Sequence, residues 1–454
     1  MSTLLILNAR IVNENSIVES DIYIRNGRIE KIAKDLSSMK VLHVMDLKGK
    51  HVLPGMIDAN VHFREPGMTD KGDFCTESKA AIAGGITTFF DMPDTLPTTT
   101  DFQALDEKIK LASEKSLANF SFYLGASNDN LEVIKALDPN QHCAVKVCLG
   151  DRRAGVLVDK PEILDLIFKH SPVPIAAHCE HMPTIIENEE GYRQIYGDDI
   201  PFELHPKIRS EEACYKSSSM MVELAREHDS QLHLLHLSTA KEIELLSDQA
   251  LNEKRITAEV CYPFLEFCDE DYVSEAKPRQ GALIKCNPAI KTAVDRAALF
   301  QGLMEDTLDT IATGHAPCDW ADKQGHYFEV VQGMPLAQYA LPALLEHYHD
   351  GIFSLELIAQ KTSHAVADIF RIKERGYIRE GYWADLVVLD LEKPFIAKHE
   401  DVLSKSAWTP FYENEFRSSV YATLVNGNLV YINDTVRLDS AKGILVEFER
   451  SSDG

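Results

Sequence analysis

The chain has 454 residues, 45% of them hydrophobic and 26% charged; the length calls for one large domain with a smaller companion, and the balance excludes disordered and fibrous classes. A formal net charge of -25 excludes nucleic-acid binding through a basic face and disfavours anionic membranes, because phosphate contacts need clustered Lys and Arg. The nine cysteines form no C-x-x-C pair, and MSTLLILNARIV has only a short, strand-like apolar run and no cationic n-region, so a reducing compartment, the cytoplasm, is expected.

From the N-terminus, LLILNARIVN and DIYIRNGRIEKIA are short β-rich runs, and Asn26-Gly27 supplies the positive φ angles of a tight hairpin. The same texture returns near the C-terminus in ADLVVLDL and SSVYATLVNGNLVYIN, with Asn426-Gly427 as a second hairpin. The two ends are expected to pair, residues 1–53 and 371–454 forming the parts of a small β unit beside a central domain, 54–370.

That central domain alternates short apolar runs with amphipathic segments such as FQALDEKIKLASEK and ACYKSSSMMVELAREH, whose spacing is helical. Eight runs read as inner strands: MIDANVH, ITTFFDMP, NFSFYLGA, CAVKVCLG, PVPIAAHCE, QLHLLHLS, RITAEVCY and TIATGHAP. Their polar residues fall at the C-terminal ends, at His62, Asp91, Lys146, His178, His236 and His315. A (β/α)8 barrel builds its active site there from several strands, whereas an open doubly wound sheet gathers ligands at one switch point, so an α/β barrel is predicted.

Lys146 sits inside an apolar run, where a bare ammonium is expensive to bury. It is either a lysine snorkelling to the strand end or one carboxylated by carbon dioxide to a metal-bridging carbamate. His178 and His236 each close an apolar strand; singly each reads as an ordinary histidine, but with Lys146 and His62 they make a credible zinc shell.

PGMIDANVHFREPGMTDKGDF and AAIAGGITTFFDMPDTLPTT resemble the dihydroorotases of the amidohydrolase superfamily. The likeness continues in order through AVKVCLG, PIAAHCE, HPKIRSEEACYKSS, LHLLHLSTAKE, ITAEVCY, KCNPAIK, ATGHAP and RGYIREGYWADLVVLD, nearly the whole chain. It implies a metal-dependent (β/α)8 barrel, with a small β-sandwich made from both chain ends, that interconverts N-carbamoyl-aspartate and dihydroorotate in pyrimidine synthesis. Lys146, as a carbamate, with His178 and His236 would hold one zinc, and His62 and Asn60 would belong to a neighbouring position. Arg64, Asp94 and Asn287 would contact a cyclic amide or anionic ligand, and relatives of this size imply a homodimer or homotetramer.

The departures from that pattern fall on chemistry. H-x-H on the first strand is Asn60-Val61-His62, and the aspartate of A-T-D-H-A-P-H is Gly314, which cannot be a base; Cys318 replaces the final histidine. Asp94 stands where an asparagine would meet the substrate carboxylate, and like charges repel. Asp94 and His315 are left as proton carriers, His315 being equally readable as a packed structural residue. Arg152 and Arg153 read either as surface charges or as a substitute anchor for an anion. Two activities remain open: a cyclic amidohydrolase with at most one metal, or a catalytically silent homologue kept for assembly.

Overall fold

The computed structural model describes residues 3–150, 158, 160–274, 277, 279–439 and 442–450. The chain opens with β1 (Thr3–Asn13), β2 (Ser16–Arg25), β3 (Arg28–Ala33), β4 (His43–Asp46) and β5 (His51–Pro54). β1 and β2 pair antiparallel from Thr3↔Arg25 to Asn13↔Ser16. Asn26 and Gly27, at φ 51° and 83°, turn β2 into β3 as the left-handed pair of a tight hairpin must.

The barrel strands follow in the predicted order: β6 (Met56–Val61), β7 (Ile86–Asp91), β8 (Asn119–Phe122) with its short continuation β9 (Leu124–Gly125), β10 (Val145–Cys148), β11 (Ile175–His178), β12 (Leu232–Leu234), β13 (Ile256–Cys261) and β14 (Thr310–Ala312). All pair in parallel, β6-β7-β8 on one side and β9 through β14 on the other. A parallel bridge between Val61 and His315 joins the first strand to the end of the last. The chain is thus a (β/α)8 barrel, with a sheet built from both chain ends beside it. Two strands are shorter than their apolar runs: His236 (φ 43°) and Gly314 (φ 65°) take left-handed backbone that no strand continues through, and so turn the chain into the barrel mouth.

After the barrel come β15 (Leu386–Asp390), the small pair β16 (Phe395–Ile396) and β17 (Glu415–Phe416), then β18 (Ser419–Val425), β19 (Asn428–Ile432) and β20 (Thr435–Val436). β15 lies antiparallel between β5 and β18, so one sheet runs β20-β19-β18-β15-β5-β1-β2-β3. Its apolar core draws on both termini, with Ile6, Ile22, Ile24 and Val52 against Leu386, Val388, Ala422 and Leu424. The two hairpins touch: a Cβ on Gly427 would come within 2.7 Å of the Gly27 Cα, so the glycines serve close approach as well as positive φ. None of the nine cysteines is joined in a disulfide, and no helix among the described residues is long and apolar enough to cross a membrane.

Candidate active site

The C-terminal ends of the barrel strands surround a cavity of about 300 Å³. Asn60 reaches it from β6, His62 from just beyond, Asp94 from the loop after β7, Lys146 from β10, His178 from the last position of β11 and His236 from the turn after β12; Arg64 and Asn287 join from loops. Every candidate except His315 therefore lines one cavity. Arg152 and Arg153 lie outside the described residues.

At one corner His178 Nδ1 and His236 Nε2 stand 2.8 Å apart. Burial lowers the pKa of both rings; both are neutral imidazoles at pH 7, the form that ligates metal. His178 Nε2 lies 3.0 Å from Glu180 Oε2. An ionised carboxylate only accepts, so the ring proton sits on Nε2 and the Nδ1 lone pair is presented to His236 and the cavity. Burial would push the Glu180 carboxyl up, but Arg209 and His178 outweigh it and hold it down to about 2.

Lys146 is buried beside this pair, and no hydrogen-bond acceptor meets its Nζ among the described residues. Burial lowers its pKa, favouring the uncharged amine that can add carbon dioxide. These donors fit a single metal: two neutral imidazoles, one steered by a carboxylate as metal-binding histidines usually are, and an amine that becomes an oxygen donor only once carboxylated. A further group of possible ligands, Asp165, Glu227 and His228, lies on the helices Pro161–His170 and Glu211–His228.

The other side of the mouth is arranged differently. Asp94 Oδ1 accepts from His62 Nδ1 at 2.7 Å, and Asp94 Oδ2 lies 3.5 Å from Arg64 Nη1. Burial would raise the Asp94 carboxyl, but His62 and Arg64 overcome that and hold it well below the usual carboxylate range. Asp94 is thus not a lone repelling charge: it is paired, and in pairing it occupies the guanidinium expected to anchor an anion. The Asn60 amide nitrogen donates to Glu259 Oε1 at 2.6 Å, leaving only its carbonyl oxygen for a ligand. Gly314 offers none, and a Cβ there would lie 2.9 Å from Cys261 Sγ.

Residues 51–430 match the pattern that defines the amidohydrolase family. The chain belongs to that family. Over 452 residues it is 30% identical to an allantoinase of Desulfitobacterium hafniense, covering 94% of this chain and 95% of the relative. Over 457 residues it is 30% identical to a dihydroorotase of Methanosarcina mazei, with 97% of each chain covered. Among solved structures, an L-hydantoinase (dihydropyrimidinase) from Arthrobacter aurescens superimposes with a TM-score of 0.92 at 24% identity, covering 98% of this chain and 100% of the other. This amidohydrolase is therefore similar to enzymes named for three different cyclic amides, and the expectation of dihydroorotate in particular is not singled out.

His315 must be withdrawn from the chemistry of the mouth. Its ring is fully buried; Nδ1 accepts from the Leu336 and Ala337 N–H groups at 2.8 and 3.1 Å, so Nε2 carries the proton and donates it to Glu77 Oε2 at 2.9 Å. Both nitrogens are spent on structure. The sequence reading also passed over Glu180, Arg209 and Glu259. Glu259 is wholly buried in β13, where it accepts from Asn60 and from the His236 backbone N–H. A carboxylate inside the apolar run TAEVC is the same signal that drew notice to Lys146, and Glu180 stands two residues past a candidate ligand.

Proposed function

We propose that this amidohydrolase is a metal-dependent hydrolase of cyclic amides, with one zinc held by carboxylated Lys146, His178 and His236. The observation that carries the reading is the buried Lys146, whose Nζ has no hydrogen-bond partner among the described residues, beside two neutral imidazoles with nitrogens 2.8 Å apart. A bound zinc would polarise the ring carbonyl and lower the pKa of a water toward neutrality. Glu180, braced by Arg209, fixes the His178 tautomer. Glu259 holds the Asn60 amide and the His236 backbone, and so sets the floor of the cavity.

Proton transfer falls to the dyad opposite. Asp94 accepts the Nδ1 proton of His62, which turns the basic Nε2 lone pair toward the cavity, placed to take a proton from the attacking water and return it to the departing amide nitrogen. In this reading His62 serves as proton carrier rather than as a ligand of a second metal, whose other donors, Asn60 and Gly314, supply at most one amide oxygen. Dihydroorotate, hydantoin and dihydrouracil form the substrate panel.

The vacant carboxylate position at Gly314 favours a second reading, a silent homologue that keeps the barrel for assembly. Elemental analysis of protein purified without chelators and supplied with zinc and bicarbonate separates the two. About one zinc per chain, lost in Lys146→Ala, together with ring opening of one panel member, supports the hydrolase. No bound zinc and no turnover would establish the silent barrel.

A further inference from the structure

Recognition at this cavity is set by which polar groups are already satisfied. Arg64 Nε donates to the Pro317 carbonyl at 3.0 Å, and Nη1 faces Asp94 Oδ2. Its positive charge is matched by a carboxylate that lines the same cavity and is itself 25% exposed. An incoming substrate carboxylate would meet Asp94 before it could claim Arg64, and displacing Asp94 would also strip His62 of its partner. The cavity therefore offers a ligand the accepting carboxylate of Asp94 where the sequence pattern led one to expect anion-binding donors. Met68, Met92, Phe264, Met334 and Leu336 supply apolar wall beside it.

The geometry points to Asp94 as the specificity-determining residue of this cavity, admitting an uncharged cyclic amide whose non-reacting edge presents N–H donors and rejecting a ring that bears a carboxylate. An N–H donor can share the partly exposed Asp94 carboxylate with His62 and Arg64, whereas a second carboxylate beside it repels, and the Arg64 charge is already matched. The inference rests on the cavity being the substrate site proposed above, but not on turnover there.

Dihydrouracil and dihydroorotate share a ring and differ by one carboxylate, so their dissociation constants on the full-length zinc-supplied protein, measured by calorimetry with turnover followed in parallel, isolate the charge. Dihydrouracil is expected to bind at least about tenfold tighter, and Asp94→Asn to shrink that ratio at least about tenfold with zinc content unchanged; Asp94→Ser serves should the amide fail to fold. Equal or tighter binding of dihydroorotate by the wild type, an unchanged ratio in a folded variant, or binding of neither ring would overturn the inference. The two readings fail separately. The expected ratio without any ring opening sinks the hydrolase and leaves the recognition rule, while efficient opening of dihydroorotate does the reverse.

Discussion

The sandwich formed by the chain ends and the interior of the barrel are both buried sheet, yet they are filled by opposite chemistry. Between the sandwich strands lie Ile6, Ile11, Ile22, Ile24, Val52, Leu386, Val388 and Leu424, an apolar set whose stabilisation is non-directional and scales with area. The barrel interior holds Asp58, Asn60, His233, Thr257, Glu259 and Thr313, all buried. Asp58 accepts from the Thr313 N–H at 3.1 Å, Asn60 donates to Glu259, and His233 bonds Thr257 Oγ1 at 2.9 Å and faces Glu259 at 3.4 Å. Such a network is directional: each group costs free energy if left unpaired, and each fixes the orientation of its neighbour. The sandwich supplies stability that the site does not consult, and the barrel spends stability to aim the residues at its mouth.

The largest expected effect breaks the site and spares the fold. Lys146→Ala removes the amine that would carry the carbamate, so bound zinc, read by elemental analysis, and ring opening should both fall to background. The thermal midpoint, compared between zinc-free wild type and variant so that lost metal binding does not enter, should not fall, because a poorly solvated amine is removed. Leu386→Ala should give the inverse signature. Its side chain is fully buried in the sandwich, and the truncation should cost about 2–5 kcal/mol in denaturant unfolding while zinc stoichiometry per folded chain stays at the wild-type value. Loss of zinc in Leu386→Ala would show that the two regions are coupled after all.

Between these lies Glu180→Gln. The amide keeps the size of the side chain, and its oxygen has to stay where Arg209 and His178 both donate, but without the carboxylate charge it holds the His178 Nε2 proton, and with it the Nδ1 lone pair, less firmly. Loss of such a partner typically weakens metal binding about 10–100-fold, and competition with a chelator of known affinity measures it. A zinc affinity within about twofold of wild type would remove Glu180 from the account.

The same contrast explains which parts of the molecule were legible in the sequence. Alternating and continuous apolar runs carry the sandwich and the eight strands, because burial against a sheet imposes its period on the chain locally. Polar residues closing those runs carry the mouth, and His62, Lys146, His178 and His236 all line it. His315 closed its run in the same way but is turned to Glu77, 238 positions away, by a left-handed glycine and a helix whose packing no local pattern encodes. Asp94 was legible as a charge but not as a pair, since its meaning depends on where Arg64 and His62 point. Glu180 and Glu259 act through other side chains, and positioning leaves a weaker mark on sequence than ligation does.

The smallest effect concerns the position where a catalytic carboxylate is missing. Gly314 has φ 65°, and a Cβ there would lie 2.9 Å from Cys261 Sγ and 3.3 Å from its Cβ. Gly314→Asp should therefore not simply restore what the family pattern carries. Left-handed backbone costs a residue with a side chain about 1–2 kcal/mol, and the thiol must move as well. Aspartate tolerates that conformation better than most, and a sulfur on a rotatable side chain can yield, so the loss should stay near the lower figure in denaturant unfolding. It should shrink further in the double variant Gly314→Asp/Cys261→Ala, where the contact is gone. If the pair instead adds as two independent losses, the crowding between Cys261 and position 314 is not what closes that place to a carboxylate, and the glycine's backbone alone accounts for it.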